Sequence, residues 1–141
     1  MQLLPLLSGV QVMMLNLLSS LDREKYAITV ISKPGGPLVD KVIQNDYEYI
    51  PIKSLRRNLS PFDIISFVHL FLIFRKYKFD IVHTHSSKTG LLGRIASRLA
   101  GLRKIIHTAH GFPFHEHHPL LARILYRYLD KFGARFCNIV V

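Results

Sequence analysis

A chain of 141 residues suits one domain built on one core, and its 49% hydrophobic and 20% charged residues exclude a disordered polymer. The single Cys137 excludes an internal disulfide. The net charge of +10 sits in the middle of the chain: residues 51–104 carry eleven Lys/Arg against two Asp/Glu, whereas residues 1–50 balance at −1 and residues 105–141 at +2. A section this basic expects an anionic partner, whether nucleotide or lipid phosphates, an anionic membrane face or nucleic acid.

The chain opens on an apolar stretch, residues 1–7, that has no positively charged start and contains Pro5, so it does not read as a secretory signal. Residues 10–21 place Val10, Met13, Met14, Leu17, Leu18 and Leu21 at helical spacing. Residues 26–32 are β-branched and strand-like, and Pro34-Gly35-Gly36-Pro37 breaks the pattern. A short helix over 38–45 and a strand over 47–52 follow. Ser60-Pro61 opens the next helix as N-cap and first-turn proline, and that helix runs to about Tyr77. Its apolar stretch 64–74 is too short to span a bilayer, which takes about 20 residues. Asp63 and His69 also argue against a span, so the expectation is a buried helix whose basic ends can touch lipid headgroups.

Residues 80–84 read as a strand, residues 88–100 as a helix ended by Gly101, and residues 104–109 as a strand. A helix over 120–132 and a strand over 136–141 complete the chain. Gly90, Gly93, Ala96, Ser97 and Ala100 form a small-residue stripe that lets their helix approach a sheet closely. Strands alternating with helices imply an α/β fold: a Rossmann-like, doubly wound, mainly parallel sheet covered on both faces. Such a domain should begin with a strand. Residues 3–7 are the ones available, and Pro5 suits a central strand poorly, so the first strand is expected to be missing or eroded. The last strand stops without a closing element, and both ends read as cut.

Ligands of doubly wound sheets bind beyond the carboxyl ends of the strands. There the sequence places Ser8-Gly9, then His83-Thr84-His85-Ser86-Ser87-Lys88-Thr89-Gly90, then His107-Thr108-Ala109-His110-Gly111 and on to His115. Ser8-Gly9-Val10 is either a helix-start phosphate contact or an ordinary cap. Ser86 to Thr89 is no Walker A loop, because the glycine before the lysine is absent, and a capped helix with a solvated Lys88 is the plain alternative. His107, His110, His115, His117 and His118 lie close in sequence but offer neither a metal-binding helix nor a cysteine pair, so no metal is expected. His107 is expected to pack in its strand and His117-His118 to be solvated. His110 directly follows a strand, where an imidazole can bond a substrate hydroxyl or stabilise developing charge. Cys137 reads as a buried small hydrophobe and not a nucleophile.

Asp80-Ile-Val-His-Thr-His-Ser-Ser-Lys-Thr-Gly-Leu-Leu-Gly-Arg94 followed by Ile106-His-Thr-Ala-His-Gly-Phe-Pro-Phe-His115 resembles the N-terminal domain of the family 4 glycosyltransferases (GT4). These are retaining enzymes of the GT-B fold, and the nearest branch looks like the bacterial enzymes that build capsular, exopolysaccharide or lipopolysaccharide chains. Gly9-Val10-Gln11, Gly36-Pro37-Leu38 and the segment from Leu55 to Pro61 extend the resemblance over nearly the whole chain.

The resemblance implies that residues 1–141 are an acceptor-side domain, cut at both ends, lacking the C-terminal donor-binding domain and inactive alone. It implies that His110 contacts the transferred sugar, that Gly9 lies near the donor diphosphate, and that Arg56, Arg57, His85, Ser87 and Lys88 line the acceptor side. Ser8 stands where the family has a first loop glycine, a departure that bears on the phosphate contact. The implied partners are a nucleotide-sugar donor as co-substrate, with no cofactor, and a lipid-linked or saccharide acceptor. The implied location is the cytoplasm, peripheral at the inner face of the cell membrane. A non-catalytic Rossmann-like module that binds a nucleotide or phosphorylated lipid is the competing reading. Nucleic acid ranks last, since aromatics do not interleave with the basic residues as a stacking platform needs.

Overall fold

The computed structural model describes residues 9–56, 60–110 and 120–141. The residues before Gly9, Arg57 to Leu59 and residues 111–119 lie outside that description; with them go the expected first strand, Ser8, Arg57 and the histidines at 115, 117 and 118.

Elements alternate as the sequence pattern requires: α1 (Gly9–Ser19), β1 (Thr29–Ser32), α2 (Pro37–Gln44), β2 (Glu48–Pro51), α3 (Phe62–Tyr77), β3 (Ile81–His85), α4 (Ser87–Leu99), β4 (Lys104–Thr108), α5 (Leu120–Ala134) and β5 (Ile139–Val140). Among the described residues every strand pair is parallel. Thr29 stands opposite Glu48, Val82 opposite Ile105, and Ile106 opposite Ile139. The first and last strands, Thr29–Ser32 and Ile139–Val140, are shorter than the expected 26–32 and 136–141.

Local chemistry explains the boundaries. Gly35 and Gly36 take φ of 84° and 85°, a backbone turn that glycine adopts without strain, and Pro37 then opens α2. At α3 the Ser60 hydroxyl accepts from the Phe62 N–H at 3.3 Å while the Asp63 carboxylate accepts from the Ser60 N–H at 3.0 Å. This reciprocal cap puts Pro61 at the cap position, one residue before the helix rather than in its first turn. Gly101, at φ 91°, ends α4, and the Leu102 N–H reaches back to the Ser97 carbonyl at 3.0 Å.

Alternation along the strands assigns the two faces. Ile31, Ile52 and Val82 pack with Leu70 and Phe74 of α3 and Ala96 of α4. Val30 turns the other way and packs with Met14 of α1 and Leu38 and Val42 of α2. Helices therefore cover both sides, and the doubly wound α/β arrangement expected from the sequence is the one observed. The strands form two ladders, β1-β2 and β3-β4-β5. A largely apolar cavity of about 970 Å³ lies between them, lined by Met13, Met14 and Leu17 of α1, residues 28–31 on one side, and Ile81, His83, His85, Ile106 and Thr108 on the other.

Two packing expectations are corrected. Helix α3 is not buried along its apolar stretch: Ser66, Leu70 and Phe74 face the core, while Ile64 is 72% and Leu72 56% exposed. The stretch is apolar on all sides of the helix apart from Ser66 and His69, and the buried Ser66 runs against the usual polar-out pattern, so the sequence does not reveal which side faces out. Ile106 is half-buried because it faces the cavity, whereas Ile105 turns under α4 and is fully buried. Cys137 is likewise only half-buried, its thiol directed to the Ala134 carbonyl at 3.4 Å.

Candidate active site at the carboxyl ends of strands β3 and β4

Because β3 and β4 run parallel with His85 opposite Thr108, the residues that follow them emerge side by side. On the β3 face towards the cavity sit His83 and His85, two residues apart and on one side of the pleat. Nε2 of His83 lies 2.7 Å from the Thr108 hydroxyl. The His83 and His85 rings are 4.3 Å apart at 34°. Nδ1 of His85 lies 2.8 Å from Nε2 of His110, with the rings 5.1 Å apart at 25°. Three imidazoles thus form a row from the strand ladder to the rim. His85 is 2% exposed, and His110, at the end of the row, is half-buried.

The opposite face holds a second polar group under α4. The ring of His107 is buried, with Nδ1 3.0 Å from the Thr84 hydroxyl and 3.2 Å from the Thr84 carbonyl. Gly90 makes this possible: a Cβ there would come 2.4 Å from the His107 Cε1. The small-residue stripe therefore serves close approach of helix to sheet, as expected. One turn on, Arg94 is 1% exposed. It donates through Nε to the Gly90 carbonyl at 3.0 Å and places Nη2 3.7 Å from the Asp130 carboxylate of α5. That separation pairs the charges without making a hydrogen bond, which leaves Nη2 unbonded. Gly133 gives the guanidinium its room, since a Cβ there would lie 2.6 Å from Nη2.

Burial sets the protonation of the row. Removal from water disfavours the imidazolium, pushing His83 down to about 4 and His85 to about 2. His107 falls to about 4, first through burial and then through the Arg94 charge. His110 is lowered by burial alone. Burial raises the Asp130 carboxyl against the opposing pull of Arg94. The row is therefore a set of neutral imidazoles near pH 7, each a donor at one nitrogen and an acceptor at the other.

The structure brings His85 and His110 into contact, and also Arg56 and Lys88. Lys88 Nζ lies 2.6 Å from the Asp63 carboxylate and donates to the Arg56 carbonyl at 2.9 Å. With 12% of its side chain exposed it is neither the solvated lysine of the plain reading nor free of ties, and it fixes the start of α4 to the start of α3. Arg56 is exposed, its guanidinium 4.1 Å from the centre of the Phe62 ring. Ser87 is half-buried at the first position of α4. Gly9 is exposed at the first position of α1, where a Cβ would meet nothing within 4 Å. Packing thus places no demand for glycine there. Sequence reading did not single out His83, Thr108 or the buried Arg94. The alternation of His83 and His85 was a signal for the first, and the glycine at 133, three residues after Asp130, a faint one for the last.

Among the described residues, no group of three or more His, Cys, Asp or Glu side chains is placed to hold a metal ion. No helix among them is long and apolar enough to cross a membrane.

The sequence matches the profile of Glycosyltransferase Family 4 over residues 7–141. The chain belongs to that family. It is 43% identical over 135 residues to the Escherichia coli UDP-Gal:alpha-D-GlcNAc-diphosphoundecaprenol alpha-1,3-galactosyltransferase, an alignment covering 95% of this chain and 35% of the enzyme. It is 31% identical over 94 residues to EpsD of Bacillus subtilis (strain 168), a protein provisionally assigned as a glycosyltransferase; that alignment covers 65% of this chain and 24% of EpsD. The crystal structure of Acinetobacter baumannii MurG superposes with a TM-score of 0.67 over 94% of this chain and 37% of its own, at 13% identity, which speaks for the fold alone. The chain therefore spans about a third of the galactosyltransferase, and its architecture is that of one Rossmann-like half of a GT-B fold.

Proposed function

We propose that residues 1–141 form the acceptor-side domain of a retaining glycosyltransferase, which moves a sugar from a nucleotide-sugar donor to a lipid-linked or saccharide acceptor in cell-surface polysaccharide synthesis. The observation that carries this is the 43% identity to an enzyme whose name gives UDP-galactose as donor and a GlcNAc-diphosphoundecaprenol as acceptor. The histidine row supports it, because the imidazoles gather at the carboxyl ends of parallel strands, where doubly wound sheets bind ligands. In this reading His110 contacts the transferred sugar, Gly9 lies by the donor diphosphate, and Arg56, Arg57 and Ser87 face the acceptor. Lys88 holds that side together through Asp63. The leaving diphosphate needs positive side chains or helix N-termini, not a metal. A second, donor-binding domain completes the site, so this chain alone is inactive.

The test is transfer of radiolabelled sugar from a panel of UDP-sugars to a polyprenyl-diphosphate-linked GlcNAc acceptor. The polypeptide carrying this domain together with a C-terminal donor-binding domain is expected to turn over, and residues 1–141 alone are not. Turnover by residues 1–141 overturns the half-enzyme reading. Nucleotide binding without transfer by the longer polypeptide favours a non-catalytic binding module.

The acceptor reading extends to the surface. The outer face of α3 exposes Ile64, Ile65, Val68 and Leu72, and its last turn carries Arg75 and Lys76. Arg75, Lys78, Arg103 and Lys104 line a neighbouring pocket of about 500 Å³. An apolar face bordered by cations suits the anionic inner face of the cell membrane. Sedimentation with anionic vesicles should be strong at low salt and weaken as the Debye length shrinks from about 30 Å at 0.01 M to about 3 Å at 1 M. Binding that ignores salt, or no binding at low salt, refutes this surface.

A further inference from the structure

We infer that His85 is a positioning residue for His110, holding its ring in one orientation and one tautomer, and is not itself an acceptor contact. The inference rests on the reading of His110 as the sugar-contacting group and deepens it. Its basis is geometric. At 2% exposure, His85 has almost no surface to offer a substrate, whereas its Nδ1 lies 2.8 Å from Nε2 of His110.

A hydrogen bond between two neutral imidazoles allows one proton between the facing nitrogens. When His85 Nδ1 donates, His110 Nε2 is the acceptor and its proton sits on Nδ1; when His85 Nδ1 accepts, the assignment reverses. Either way the state of His110 Nδ1, the nitrogen left for a substrate, is set by the bond on the other side of the ring. The orientation of His85 is set in turn from behind. Its ring stacks on His83, 4.3 Å away, and His83 reaches the Thr108 hydroxyl at 2.7 Å, while the Thr89 hydroxyl holds the His85 carbonyl at 3.0 Å. The last residue of β3 is thus clamped before it meets His110.

Burial disfavours an imidazolium at His85, which works against its taking up charge that develops on His110. What His85 supplies is alignment, the kind of support whose loss moves a reacting group by a fraction of its bond length and costs turnover.

The test uses the 141-residue chain with ¹⁵N-labelled histidine and reads ring tautomers by long-range ¹⁵N–¹H correlation. Wild type should show His110 in a single tautomer. H85F removes the partner nitrogen and should give exchanging tautomers. H85N, whose amide can stand where Nδ1 stood, should restore a single one. In the two-domain enzyme, H85F should lower kcat about 10- to 100-fold, the range expected for a misaligned catalytic group, with the acceptor KM unchanged and H85N recovering most of the loss. A single His110 tautomer in H85F overturns the proposal. So does a raised acceptor KM at unchanged kcat, which would return His85 to the acceptor side. If H85F does not fold, H85N decides alone: mixed His110 tautomers in that variant refute the positioning role. Should H110A prove silent in turnover while the tautomer results hold, it is the reading of His110 that fails, not its contact with His85.

Discussion

If the proposed function holds, sugar transfer by a polypeptide that joins this domain to a donor-binding domain should fall by a factor of about 10² to 10³ when His110 is replaced by Ala, the usual cost of removing one preorganised contact to developing charge. His110 leaves the carboxyl end of β4 two residues after Thr108, is half-buried, and has one ring nitrogen occupied by His85 at 2.8 Å. The other nitrogen can bond a hydroxyl of the sugar while the bond to the leaving diphosphate lengthens. The ring adds little to the core, so the His110→Ala protein should melt close to wild type. A His69→Ala protein is the control, since His69 lies exposed on α3, away from the strand ends. A normal rate for His110→Ala would place the chemistry elsewhere. A large loss accompanied by a lower melting temperature would mean that the ring props the fold.

The order of elements was legible because each boundary has a local cause. Pro34 to Pro37, Ser60-Pro61 and Gly101 are punctuation whose effect does not depend on distant packing, and the observed breaks fall beside them. The parallel sheet followed from alternation of strand and helix. Legibility failed where the side facing outward is decided in three dimensions. In α3 a nearly continuous apolar stretch conceals an exposed face at Ile64 and Leu72, and in β4 Ile106 turns to a cavity while Ile105 turns to the core.

For the site, the sequence could say that histidines follow strands, and its position at a strand end made His110 a candidate. It could not say which imidazoles touch. That depends on the β3–β4 register, which places His85 opposite Thr108 and so brings His85 within reach of His110. Lys88 shows the same limit in another form. A lysine at a helix start reads as solvated or ligand-binding, and only the fold reveals Asp63, twenty-five residues earlier, as its partner at 2.6 Å. Arg94 is the extreme instance. Nothing in a stripe of Gly, Ala and Ser suggests that the arginine beside them is 1% exposed, because its partner Asp130 and the space beside Gly133 come from a helix much later in the chain.

The same burial should make the domain labile to acid. The pKa values of His83, His85 and His107 are depressed in the fold from the ordinary 6.5 to about 4, 2 and 4. The unfolded chain therefore binds protons that the folded chain refuses. A base whose folded pKa is lowered leaves stability unaffected above the unfolded value and subtracts from it as pH falls below that value. Stability should be level above about pH 7 and fall steadily between pH 6.5 and 4. At pH 4.5, two units below its unfolded value, keeping buried His85 neutral costs about 2–3 kcal/mol, since one unit corresponds to 1.36 kcal/mol. His107 adds to this, and His83 adds less because it is more exposed. Asp130, whose carboxyl is raised, works in the opposite sense as one group against three. Against a typical total of about 5–15 kcal/mol, the loss should lower the melting temperature by on the order of 10 °C between pH 7.5 and 4.5. The variant H85N removes the largest titrating share and should flatten that slope. Equal melting temperatures at the two pH values, or an unchanged slope in H85N, would show that the imidazoles of the row ionise freely within the fold.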